Sequence, residues 1–162
     1  MKKITFLAAF MLIISSCVTI KKAPAIDDYR VMKGKEFQKK NFTSQTAFIF
    51  QNDLKMIDFR SFLAEKYDLH SFKSTMRIPV VFEDISFELF VFTPEKKEQK
   101  INFINAIISK NADDISVDES TYDYVAISVS RIDDADCLSE TSIYHKLVLR
   151  YLEDLKDTYF EL

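Results

Sequence analysis

From Phe42 onward, the apolar residues of this 162-residue chain switch repeatedly between a period of two and a period near 3.6. Few plans accommodate that succession. Phe42 to Phe50 is β-branched and aromatic, as expected of a strand. Asn52 or Asp53 can cap the following segment, where Leu54, Ile57, Phe59, Phe62, Leu63 and Tyr67 recur at helical spacing. Arg77 to Thr93 reads as a hairpin about Glu83-Asp84, with Phe87, Leu89 and Val91 on one face and Ser86, Glu88 and Phe90 on the other. Pro79 suits an edge strand, because it has no N–H to give a neighbour.

Pro94 sits where a helix could start, and Ile101, Ile104, Ile107 and Ile108 would form its buried stripe. Asn111 to Thr121 reads as an acidic loop. Tyr122 to Arg131 alternates, sending Val125, Ile127 and Val129 inward and Tyr124, Ala126 and Ser128 outward. A last helix, from about Thr141 to Thr158, carries Tyr144, Leu147, Val148, Tyr151, Leu152, Leu155 and Tyr159 at steps of three and four. The expected class is therefore α+β. The first six elements follow the ferredoxin-like β-α-β-β-α-β plan, an antiparallel sheet with helices on one face, and a C-terminal helix is added. The expected organisation is a signal segment at 1–16, a basic tether at 17–40 and a single domain at 41–162.

Composition narrows the chemistry. Gly34 is the only glycine, and P-loops, GxGxxG turns and GxSxG elbows all need several. Charged residues at 29% and apolar residues at 48% describe a chain that folds. Histidines 70 and 145 belong to no HExxH, HxH or CxxC pattern, so no zinc site or cofactor is expected. Cys137 follows Asp133, Asp134 and Asp136, which raise a thiol's pKa, so a structural thiol is expected rather than a nucleophile paired with His145. Between Asn111 and Glu140, nine acidic residues face one Arg, a net of −8. Asp133, Asp134, Asp136 and Glu140 are the candidate surface there, for an acidic-patch partner or a weakly held Ca²⁺, although they match only a fragment of an EF-hand loop. Asn41-Phe42-Thr43 fits the N-glycosylation pattern and is given no role.

The N-terminus has three parts. Lys2 and Lys3 form a positive head, Ile4 to Ile14 is an apolar run too short for a span of about 20 residues, and Ser15-Ser16-Cys17 follows. Ile14-Ser15-Ser16-Cys17 resembles the lipobox of bacterial lipoproteins. That resemblance implies diacylglyceryl transfer to Cys17, cleavage before it and acylation of the new amino terminus. Two or more acyl chains, at about 0.8 kcal/mol per buried CH₂, would anchor the protein stably to a membrane. Removal of 1–16 leaves 20 basic and 25 acidic residues, a net charge of −5. Val18 to Lys40 holds seven Lys/Arg against three acidic residues, a net of +4 that favours anionic headgroups.

Location follows from the resemblance: the cell envelope, outside the cytoplasm. Val18 lacks the acidic residue associated with inner-membrane retention, which favours the outer membrane. The expected function is that of a lipoprotein whose small domain binds another envelope macromolecule, as assembly factor, accessory subunit or inhibitor. The alternative is a small envelope hydrolase working through carboxylates that spacing does not reveal. The β-α-β-β-α-β order is shared with RNA-binding modules, but the glycine-containing signature is absent and the chain is acidic, so no nucleic acid is expected.

Overall fold

A computed structural model describes residues 17–39, 42–53, 58–69, 76–102 and 116–162. In chain order the described elements are β1 (Cys17–Lys21), β2 (Arg30–Lys33), α1 (Gly34–Phe37), β3 (Thr46–Gln51), α2 (Phe59–Lys66), β4 (Met76–Phe82), β5 (Ile85–Phe92), β6 (Glu95–Asn102), β7 (Ser116–Ser130) and α3 (His145–Phe160). The protein is α+β, mostly sheet, with antiparallel pairing in each of the described registers. The chain divides into two compact units, Met1–Pro24 with Lys96–Tyr122, and Ala25–Glu95 with Asp123–Leu162.

In the larger unit the strands run β2-β3-β7-β5-β4. The first and third strands of a ferredoxin-like sheet are neighbours. Here β7 separates β3 from β5, pairing Phe48 with Ile127 on one side and Leu89 with Val129 on the other. A helical crossover after β5 would return the chain parallel to it, whereas β7 returns antiparallel. The reason lies in Glu95–Asn102, which pairs as β6 and is not helical. Pro94 does not open a helix; its carbonyl accepts the Tyr124 N–H at 3.0 Å. A Lys/Glu/Gln-rich segment favours helix only weakly on its own, and strand pairing overrides that preference. The expected stripe at Ile104, Ile107 and Ile108 lies outside the described residues, as does much of the expected acidic loop, while β7 begins at Ser116, earlier than expected.

The inner face of the sheet carries Phe48, Phe50, Ile78, Val80, Phe87, Leu89, Val91, Val125, Ile127 and Val129, packed with Phe59, Phe62 and Leu63 of α2 and Val148, Leu152, Leu155 and Tyr159 of α3. Helices α2 and α3 thus cover one face. Asp58, not Asn52 or Asp53, caps α2, its carboxylate accepting the Arg60 N–H at 3.1 Å. Asn52 instead accepts the Tyr159 hydroxyl at 2.8 Å.

The opposite face is also covered at its centre. Tyr124, Ala126 and Ser128, expected to point to solvent, are buried. Phe37 meets Tyr124 edge-on at 5.2 Å, and Phe42 lies 5.0 Å from Phe92. Much of the segment read as a tether is therefore part of the fold: β2 pairs with β3, and Ile26 and Phe37 are buried. Gly34 explains itself here. A Cβ on it would fall 2.6 Å from the Thr43 carbonyl oxygen, so only glycine admits the 42–43 backbone.

The chain has no other glycine for positive-φ positions. Among the described residues these are Asp68, Glu83 and Asp84. Asp68 ends α2, followed by a Leu69 N–H to Ala64 carbonyl bond at 2.9 Å. Glu83 and Asp84, at φ 48° and 60°, form the two-residue turn of the β4/β5 hairpin, with Phe82 opposite Ile85. Pro79 does stand on an end strand, since β4 pairs only with β5 among the described strands.

In the smaller unit β1 pairs antiparallel with β6, Cys17 opposite Asn102 and Val18 opposite Ile101. β6 also neighbours β7. Lys97 and Gln99, two residues apart as a strand requires, both reach the Glu119 carboxylate. Residues 1–16, expected from sequence to be a signal segment, lie outside the described residues.

Candidate functional site

Two places at the Ser130 end of the larger unit gather polar chemistry. The first is the loop after β7. Arg131 and Asp134 close a tight turn by exchanging backbone hydrogen bonds of 2.7 and 3.2 Å, leaving Ile132 and Asp133 at its apex. The Asp134 carboxylate accepts from the Asp136 N–H at 3.0 Å and from the Ser142 hydroxyl. The Asp136 carboxylate accepts from the Thr46 N–H at 3.0 Å, from the Thr46 hydroxyl at 3.0 Å and from the Lys33 ammonium at 2.6 Å. Gln45 adds a bond to the Ala135 carbonyl. These bonds fasten the loop to β2 and β3.

The acidic surface read from sequence therefore resolves into different parts. Asp134 and Asp136 spend their oxygens on donors of their own chain. Asp133 binds the Arg131 guanidinium and lies 3.3 Å from the Tyr144 hydroxyl. Glu140 is exposed. Basic and acidic segments also do not stay apart, since Lys33 meets Asp136 and Lys156 meets Asp28. Cys137 is fully buried within this loop, its thiol directed to the Asp134 carbonyl at 3.4 Å. Burial first, then Asp134, Asp133 and Asp136, pushes the thiol up to about 12, which keeps it protonated and inert at neutral pH. His145 Nδ1 is occupied by the Leu138 carbonyl at 2.9 Å. His70 lies outside the described residues.

The second place is a groove of about 580 Å³ lined by Asp84 to Glu88 of the β4/β5 hairpin and by Ser130, Arg131 and Ile132. Its origin is topological. β5 pairs with β7 from Glu88, opposite Ser130, through Phe92, opposite Ala126. Continued by two residues, β7 would set Ile132 against Ser86, but the chain turns away at Arg131. Ile85, Ser86 and Phe87 keep their partners on β4 and have none on the β7 side. In a two-residue hairpin the flanking pair, Phe82 and Ile85, exchanges hydrogen bonds, so the backbone groups of Ser86 point away from β4 and into the groove.

Apolar side chains of the groove lining, of β4 and of the approach to α3 are exposed. Ile132 is 99% exposed at the turn apex, Ile143 is 87% exposed just before α3, and Val81, opposite Ser86, is 69% exposed. The Arg131 guanidinium is 5.1 Å from the centre of the Tyr144 ring and bonds to its hydroxyl, which fixes the turn that carries Ile132. Asp84 and Glu88 have no ion pair or side-chain hydrogen bond among the described residues. No protein family matches the chain, and no curated protein or solved structure matches it significantly.

The site thus rests on its geometry alone. Sequence reading singled out the carboxylates after β7 and missed the notch. The available signal was Ile132, an isoleucine among aspartates directly after an alternating strand. The arrangement offers unpaired backbone, uncompensated negative charge and apolar contact area, which suits binding.

Proposed function

We propose that this protein is a lipid-anchored lipoprotein of the cell envelope whose larger unit binds another protein at the notch beside β5. The anchor is supported by Lys2-Lys3, the apolar run to Ile14 and the Ile14-Ser15-Ser16-Cys17 sequence. The binding role is carried by one observation: Ile132 is held almost wholly in water in the lining of an open groove that Ile85 and Phe87 also line. Apolar exposure at a groove is characteristic of interaction surfaces. Val18 after the anchored cysteine supports the outer membrane as the destination.

Metabolic labelling with an alkyne fatty acid tests the anchor. The wild-type chain incorporates label and fractionates with membranes, while Cys17→Ser does neither; an unlabelled wild type refutes it. A photoreactive residue at Ile132 tests the surface, with one at Glu161 as the remote control. A discrete crosslinked species from position 132 alone supports it, and equal crosslinking from both positions refutes it.

A further inference from the structure

We propose that the notch receives an extended cationic peptide segment of a partner protein, which pairs as a short strand with β5 at Ser86. The proposal rests on the binding role above and specifies the partner's chemistry. Ser86 supplies one N–H and one C=O on the side that β7 abandons, which is how a free strand edge recruits a peptide. Glu88 and Asp84 bracket Ser86 two residues away on either side. Alternation puts Glu88 on the same face as Ser86, opposite buried Phe87.

A peptide residue opposite Ser86 would therefore lie on the carboxylate face, diagonal to Glu88. Its neighbours would turn to the face of Ile85 and Phe87, where Phe87 meets Tyr144 edge-on at 5.5 Å. The preferred sequence is apolar, Lys or Arg, apolar. The Arg131 charge does not cancel the field, because Asp133 already neutralises it. With Arg131 paired to Asp133, the lining carboxylates Asp84 and Glu88 leave two negative charges uncompensated among the described residues. Ile132 closes the end of the notch and gives the peptide an apolar contact.

The probe is a fluorescein-labelled Val-Lys-Val-Lys-Val peptide added to the full chain, compared with Val-Glu-Val-Glu-Val and with an N-methylated Lys peptide that cannot donate backbone hydrogen bonds. The Lys peptide binds, and amide NMR shifts centre on Ser86 and Glu88. The Glu and N-methylated peptides bind at least tenfold more weakly. Combining Asp84→Lys with Glu88→Lys weakens the Lys peptide about tenfold by turning attraction into repulsion. Ile132→Asp weakens it as well, and because Ile132 is fully exposed the fold is retained, checked by circular dichroism. Equal binding of Lys and Glu peptides, shifts centred elsewhere, or no binding at millimolar peptide would overturn the proposal. Crosslinking at position 132 without peptide binding overturns strand pairing alone, whereas loss of acyl labelling bears only on the anchor.

Discussion

Two sets of carboxylates, only a few residues from the same sheet end, differ in what the fold does with them. Asp134 and Asp136 turn inward and accept from Ser142, Thr46, Lys33 and a backbone amide, whereas Asp84 and Glu88 face an open groove without a side-chain partner among the described residues. In the sequence three of the four are acids in turns or loops, and Glu88 follows the hairpin turn by four residues. What separates them is the chain brought opposite: Thr46 lies 90 residues from Asp136, and its amide is available because β3 starts there. Opposite Asp84 and Glu88, β7 supplies Ser130 and then leaves. An acidic residue becomes structural or available according to where a neighbouring strand stops.

The largest expected effect comes from breaking the inward set. Asp136→Ala removes three acceptor contacts and strands the Thr46 amide and hydroxyl, both at a buried position. Hydrogen bonds to a charged group contribute about 1.5–3 kcal/mol each when buried. Because the Asp136 side chain is 22% exposed, the loss should be about 2–3 kcal/mol in all. Urea unfolding measures it. Asp84→Asn, which tolerates the left-handed backbone, and Glu88→Ala should stay within about 0.5 kcal/mol of wild type, as surface changes do. Equal losses at both sets would break the comparison.

A smaller, pH-dependent effect sharpens the same contrast through Cys137. Its folded pKa, pushed up to about 12 by burial and the surrounding aspartates, stands above the ordinary value of 9.0. The folded state therefore holds the proton more tightly. The associated stability is complete below pH 9 and is lost progressively as pH rises toward 12. Tyr67, Tyr151 and Tyr159 are shifted upward too, by burial first, and act in the same direction. Urea midpoints should fall steadily above pH 9 in the wild type. Cys137→Ala should flatten the onset, and a midpoint unchanged between pH 8.5 and 10.5 would refute the burial argument. At neutral pH the thiol should resist maleimide until the chain unfolds.

Sequence legibility follows the range over which each feature is decided. The β4/β5 hairpin was readable because alternation and the Glu83-Asp84 break are local, and α3 because Val148, Leu152, Leu155 and Tyr159 repeat within one segment. β6 was not, since Glu95–Asn102 lacks an apolar stripe of its own and takes its conformation from β7. β2 and α1 were hidden because each is only four residues long, and their place depends on Gly34 meeting Thr43. The same limit applies to the site. Asp133, Asp134 and Asp136 were visible as charges, but their partners are set by long-range folding. The notch was invisible because it is a missing stretch of pairing, and pairing is not written at any single residue.

The smallest effect concerns the turn itself. Glu83 and Asp84 occupy left-handed backbone that Asn and Gly adopt more readily, so Glu83→Asn with Asp84→Gly should stabilise the fold by about 1 kcal/mol. The inward set offers no equivalent gain, because its acids are bonded where they stand. The turn variant also removes a carboxylate from the notch, and it should weaken the Val-Lys-Val-Lys-Val peptide while raising the urea midpoint. Stability and binding then move in opposite directions, as they do where a strained residue is kept for its chemistry. A stabilised variant that binds the peptide as well as wild type would mean that Asp84 sits in the turn without serving the groove, leaving Glu88 alone to select the cation.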